Sequence, residues 1–128
     1  MKNKKVLIVS ARYYEELSNS LELYATSSLA KIKYKIIKVP GIFEIPVVIS
    51  KNIKKYDAFL ALGCVIKGET PHFDFISSAS TQAIMNLSVE SKKPIGNGII
   101  TCLNMKQAKD RGKKGKEAAK AVISILSQ

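Results

Sequence analysis

Ala58-Phe59-Leu60-Ala61-Leu62-Gly63-Cys64-Val65 carries neither a charge nor an alternation of apolar with polar side chains. A strand with one wet face alternates. An unbroken apolar run of this length therefore reads as a strand covered on both faces, as in a parallel sheet packed between helices. The flanking sequence agrees. Beyond a polar link, residues 73 to 91 place Ile76, Ala79, Ala83, Ile84 and Leu87 on one helical face. Before it, Val6-Leu-Ile-Val-Ser10 is a shorter apolar run, followed from Glu15 to Ala30 by Leu17, Leu21, Ala25 and Leu29 at helical spacing.

Between these units, Tyr34–Val39 is rich in β-branched residues and stops at Pro40-Gly41. Glu44-Ile45-Pro46 then opens a second helix, with proline where a first turn tolerates it. On the C-terminal side, Pro94–Cys102 supplies a fourth strand. Asn104 followed by Gln107 suggests a capping box before a short helix, and Gly112 and Gly115 are expected to break that helix. A last helix from about Gly115 to Ser127 carries Ala118, Val122, Ile125 and Leu126 on its inward stripe. Strands alternating with helices on short links predict a three-layer α/β domain with a four-stranded parallel sheet of order 2-1-3-4. At 128 residues the chain is the length of one domain, residues 1–128.

Composition narrows the functions. Hydrophobic residues make up 46% of the chain without a run long enough to span a bilayer, which argues against disorder and against a membrane protein. Met1-Lys2-Asn3-Lys4-Lys5 is basic like the start of a signal peptide. Only four apolar residues follow, with no small-residue cleavage site, so a cytoplasmic location is expected. Cys64 and Cys102 lack metal-ligand spacing and read as reduced, buried thiols. The net charge of +11 raises the question of nucleic acid, but the lysines are dispersed and no aromatic residues alternate with them, so nucleic-acid binding is not expected. There is no Walker A sequence, no G-x-G-x-x-G, no G-x-S-x-G and no zinc-type Cys/His pattern, which leaves the common nucleotide, hydrolase and metal chemistries unsupported.

In an open α/β sheet, ligands bind beyond the carboxyl ends of the strands where strand order reverses, here between strands 1 and 3. That rule selects Tyr13, Gly41–Glu44 and Ile66–His72. The densest signal is Ala61-Leu-Gly-Cys-Val-Ile-Lys-Gly-Glu-Thr-Pro-His-Phe-Asp74, a strand running through a glycine turn into a helix. Backbone N–H groups and the Thr70 hydroxyl at such a helix start can hold a phosphate. His72 is the only histidine, and its ordinary pKa near 6.5 suits it to proton transfer at neutral pH; a structural role at a helix start is the alternative. Glu44 is equally consistent with an acidic first turn after a Pro-Gly bend. Tyr13 can stack on a flat heterocycle or cap the core. Arg111 and Lys113–Lys116 can clamp a phosphate or form a charged turn.

Val39-Pro-Gly-Ile-Phe-Glu-Ile-Pro46, Ala61–Asp74 and the later Lys-Lys-Gly-Lys-Glu-Ala-Ala-Lys-Ala stretch (113–121) together resemble the lumazine synthase family, over about Val6 to Leu126. The resemblance implies a flavodoxin-like fold and a cofactor-free condensation. In it, 5-amino-6-(D-ribitylamino)uracil and 3,4-dihydroxy-2-butanone 4-phosphate give 6,7-dimethyl-8-ribityllumazine, phosphate and water. Carried over position by position, it makes His72 the proton-transfer residue. It assigns Arg111, Glu69 and Thr70 to the butanone phosphate. Tyr13, Ile42, Phe43, Glu44, Cys64, Val65, Ile66, Asn97 and Lys114 fall to the pyrimidine and its ribityl chain.

The resemblance further implies a homopentamer, or a multiple of it, with small-molecule substrates bound in sites shared by adjacent subunits. Asn97 lies in the first half of strand 4, away from its own carboxyl-end crevice, and reaches a crevice only across an interface. Three departures from the family stand out. Tyr13-Tyr14 occupies the place of Phe-Asn, Asn97 replaces an aromatic, and the turn between Arg111 and Gly115 is several residues shorter. The competing readings are an archaeal-type riboflavin synthase or other ribityl-pterin binder on the same fold, a basic nucleic-acid-binding protein, and a structural shell subunit.

Overall fold

The structure, a computed structural model, describes residues 3–68 and 73–128. Four parallel strands, β1 (Lys5–Ala11), β2 (Lys33–Val39), β3 (Ala58–Ile66) and β4 (Ile95–Cys102), lie in the order β2-β1-β3-β4. This is the predicted order. Every residue of β3 is buried, as its unbroken apolar run required. The helices are α1 (Glu15–Leu29), α2 (Ile45–Lys51), α3 (Phe73–Ser91), α4 (Met105–Lys109) and α5 (Lys114–Leu126).

Alternate residues of each strand feed two cores. Val6, Ile8, Leu60, Leu62 and Cys64 pack with Leu17, Leu21 and Ala25 of α1 and with Ala118, Ala119 and Val122 of α5. Leu7, Val9, Phe59 and Ala61 point the other way, onto Ile45 and Ile49 of α2 and Ile84 of α3. Edge strand β2 exposes Lys33, Lys35 and Lys38, charges that discourage pairing with a further strand. No described helix is long and apolar enough to cross a membrane.

Four details differ from the sequence reading. A single 3-10 turn, Ile42–Glu44, precedes α2, so Glu44 ends that turn and Pro46 occupies the first turn of the helix. Asn104 does cap α4, its side chain accepting from the Gln107 N–H at 2.9 Å. Gln107 Oε1, however, accepts from the Leu103 N–H at 2.9 Å rather than from the N–H of Asn104, so the box reaches one residue further back. Gly115 does not break a helix. It lies in the first turn of α5, where a Cβ would come within 2.2 Å of the Leu21 carbonyl oxygen, and its role is to let α5 press against α1. Ile125 is 49% exposed, because the inward stripe of α5 runs through Gly115, Ala118, Ala119 and Val122 and leaves Ile125 beside it.

Candidate active site

Beyond the carboxyl ends of β1 and β3 lies a small apolar pocket of about 170 Å³. Its floor is Ile42, Cys64 and Val65, and its exposed rim is Tyr13 and Phe43. Ile42 can enter the floor because Gly63 has no side chain; a Cβ there would come within 2.4 Å of Ile42 Cδ1. Tyr13 leaves β1 at the switch in strand order, and its ring meets that of Tyr14 edge-on at 4.8 Å and 82°. Phe43 and Glu44 arrive on the 3-10 turn after β2. One carboxylate oxygen of Glu44 accepts from the Gly41 N–H at 2.9 Å, which fixes the turn and holds the carboxylate at the pocket. The local role read from the Pro-Gly bend and the place in the crevice are both real.

A second depression, about 550 Å³ and polar, lies beside β4. Asn97 and Thr101 of β4 face Asp110, Arg111, Lys114 and Glu117 across it. Arg111 Nη1 donates to the Thr101 carbonyl at 3.0 Å and lies 3.9 Å from Cys102 Sγ, which orients the guanidinium. Lys114 Nζ is 3.5 Å from Glu117 Oε2, and Asn97 Oδ1 accepts from the Ile99 N–H at 3.0 Å. Arginine presents a planar fork of the geometry that phosphate oxygens accept, and with Lys113 and Lys114 it sets three cations against the carboxylates of Asp110 and Glu117.

The two depressions share no described lining residue. They are linked through the core. The free thiols Cys64 and Cys102 lie in the same buried cluster, Cys64 lines the apolar pocket, and Cys102 contacts Arg111. Burial, then the neighbouring Cys102, pushes the Cys64 thiol up to about 12, so it stays protonated and unreactive at neutral pH.

Of the residues singled out in the sequence, Tyr13, Ile42, Phe43, Glu44, Cys64 and Val65 come together at the first site, and Asn97, Arg111 and Lys114 at the second. Ile66 joins neither; it is buried in the core beneath α1 and α5. Glu69, Thr70 and His72 lie outside the described residues. Several pocket residues were not picked as site residues, Tyr14, Ile76, Thr101 and Asp110 among them. Tyr14 was signalled only by the doubled aromatic after β1. Ile76 reads as part of the core stripe of α3, and Thr101 gives no signal at all. Among the described residues, no three His, Cys, Asp or Glu side chains gather where they could hold a metal ion.

The family model described as 6,7-dimethyl-8-ribityllumazine synthase matches residues 3–128. A relative from Bartonella tribocorum with that name is 43% identical, over 98% of this chain and 90% of its own length. Another, from Nitrobacter hamburgensis, is 40% identical over 95% of this chain and 83% of its own. The crystal structure of a 3-dehydroquinate dehydratase-like protein from Bifidobacterium longum superposes over the whole of both chains with a TM-score of 0.51 at 11% identity, a likeness of fold alone.

Proposed function

The chain belongs to the 6,7-dimethyl-8-ribityllumazine synthase family, and on that premise we propose that its two depressions are the halves of one active site. The protein is a transferase of riboflavin biosynthesis that forms the lumazine from small-molecule substrates. The apolar pocket takes the pyrimidine of 5-amino-6-(D-ribitylamino)uracil, with Tyr13 and Phe43 offering faces for stacking and Glu44 an acceptor for polar hydrogens. The polar depression takes the phosphate of 3,4-dihydroxy-2-butanone 4-phosphate on Arg111, with Lys114 alongside. On the motif alone, Glu69 and Thr70 join the phosphate, and His72 moves protons while the amine condenses with the ketone and phosphate leaves. Orienting an amine against a ketone can by itself remove about 7–11 kcal/mol of barrier, so one histidine and a fixed anion site are chemically sufficient. Arg111 also neutralises the charge that grows on the departing phosphate.

The observation that carries the shared site is the grouping of Asn97, Arg111 and Lys114 in a depression separate from the Tyr13 pocket of the same chain. Two half-sites on different parts of one surface meet when copies of the chain pack side by side. The apolar residues Phe75, Met85 and Val89, exposed on one face of α3, suit burial in such an assembly. The assembly proposed is a homopentamer or a multiple of it. A single domain over residues 1–128 and a cytoplasmic location complete the proposal, the latter in keeping with two free buried thiols.

The test mixes purified protein with both substrates and follows lumazine absorbance against the uncatalysed reaction. Saturable turnover, lost in His72→Ala and with a raised KM for the butanone phosphate in Arg111→Ala, is the expected result. Turnover unaffected by both variants would refute the site. Sharing is tested by reassembling Tyr13→Ala with Arg111→Ala subunits. If each site draws on two chains, about a quarter of the sites are intact and activity returns; if each chain holds its own site, none returns.

A further inference from the structure

Behind the Tyr13 pocket, on the side of β1 that faces α1, lies a compact polar cluster with no place in the proposed chemistry. Ser10 Oγ donates to Glu22 Oε2 at 2.6 Å, and Arg12 Nη1 donates to the same oxygen at 2.5 Å. Arg12 Nη2 donates to Asn19 Oδ1 at 2.6 Å, and Ser18 Oγ donates to the Ala11 carbonyl. The side chains of Arg12 and Glu22 are only 16% and 14% exposed. A surface ion pair is worth little, but a largely desolvated pair held by further hydrogen bonds is costly to disturb.

The cluster holds one particular stretch of backbone. The Arg12 N–H donates to the Val39 carbonyl at 2.9 Å, so residue 12 is tied to β2 through its backbone and to α1 through its side chain. The next residue is Tyr13, 67% exposed, whose one ring contact among the described residues is the edge of Tyr14. Tyr14 is held in turn by the core it packs against and by its carbonyl, which accepts from the Ser18 N–H. An exposed ring with so little packing of its own takes its direction from the backbone on either side.

We propose that Arg12 and Glu22 are positioning residues for pyrimidine binding: their ion pair anchors the turn that presents the Tyr13 ring. This rests on the reading that Tyr13 meets the pyrimidine. Losing the pair widens the range of Tyr13 orientations and weakens the hold on the heterocycle. It leaves the phosphate half-site beside β4, which shares none of these residues, as it was.

The test uses steady-state kinetics of the full-length protein with each substrate varied in turn. Glu22→Gln keeps the size of the side chain and removes the nearer, largely buried carboxylate beside Arg12, leaving only the exposed Glu15 at 3.7 Å; Arg12→Lys keeps the charge but can make only one of the two bonds. Glu22→Gln should raise KM for the pyrimidine about three- to tenfold and leave KM for the butanone phosphate within about twofold, with Arg12→Lys intermediate. The decisive arm places Glu22→Gln in a Tyr13→Ala background, where it should add nothing. A full additional loss there, or equal changes in both KM values, overturns the proposal by showing a general structural role. A raised pyrimidine KM in Tyr13→Ala with none in Glu22→Gln overturns the positioning role alone. An unchanged pyrimidine KM in Tyr13→Ala removes the pocket assignment and the proposal with it. Thermal melting of each variant separates these outcomes from unfolding.

Discussion

The two faces of the sheet are built to different finish. On one, α1 buries Leu17, Ser18, Leu21, Ala25 and Leu29, and α5 buries Gly115, Ala118, Ala119 and Val122, so two helices close over the strands and over each other. On the other, α3 is the longest helix described, yet only Ser80 and Ile84 of its 19 residues are buried. Its opposite face carries Phe75, Met85 and Val89 in the open, interleaved with Ser78 and Gln82. All three helices obey the same 3.6-residue period. The contrast shows that periodicity says which face of a helix turns inward, while the depth of that burial is set by what lies opposite. The α1/α5 face is completed within the chain; the α3 face is the one the proposed assembly covers.

The contrast can be broken most sharply at Gly115. Gly115→Val drives a branched side chain into the Leu21 backbone, which cannot swing aside as a side chain can, and should destabilise the chain by ~3 kcal/mol in urea unfolding at fixed protein concentration. Val122→Ala leaves a cavity in the same closed face and should cost about 2 kcal/mol, measured in the same way. A loss below about 0.5 kcal/mol for either variant would mean this face is as loosely finished as the other.

Cys64 belongs to the closed face, and its raised pKa gives a pH signature. The folded thiol keeps its proton up to about 12, whereas in the unfolded chain it ionises from about 9. Above pH 9 the unfolded state therefore binds fewer protons than the folded state. The stabilising contribution is whole below pH 9 and is lost as pH climbs towards 12. Cys64→Ala should flatten that part of the stability profile, and in the parent protein Cys64 should react with a disulfide reagent only on unfolding.

On the open face, Met85→Glu with Val89→Glu should change the stability of the individual chain by less than about 0.5 kcal/mol. The same pair should shift the sedimentation of the protein to smaller species. Unaltered sedimentation would place the assembly contact elsewhere. The smallest effect is expected at Ile125, where Ile125→Ser should fall within about 0.5 kcal/mol because the side chain is already half exposed.

Much of this was legible in the residues. Ala58–Val65 reads as a central strand because a doubly covered strand cannot tolerate polar alternation, and the strand order follows from the alternation of strands with helices. The apolar pocket was legible in part too: the switch-point rule selects Tyr13, Phe43 and Glu44, whereas Cys64 and Val65 came from the family resemblance. Ile66 shows the limit of that rule. The residue is 2% exposed in the core cluster that includes Cys102 and Ala108, and it lines neither depression.

The sequence by itself determined the parallel sheet, its order, the family and most of the residues at the crevice, because these depend on local periodicity and on short contiguous motifs. Only the tertiary structure decided that Gly115 is a packing site rather than a helix breaker, that Arg111 is aimed by the Thr101 carbonyl, and that Arg12, next to Tyr13, pairs with Glu22 of α1. Each of these depends on an atom brought within a few ångströms from another element of the fold, and a distance across space has no counterpart in spacing along the chain.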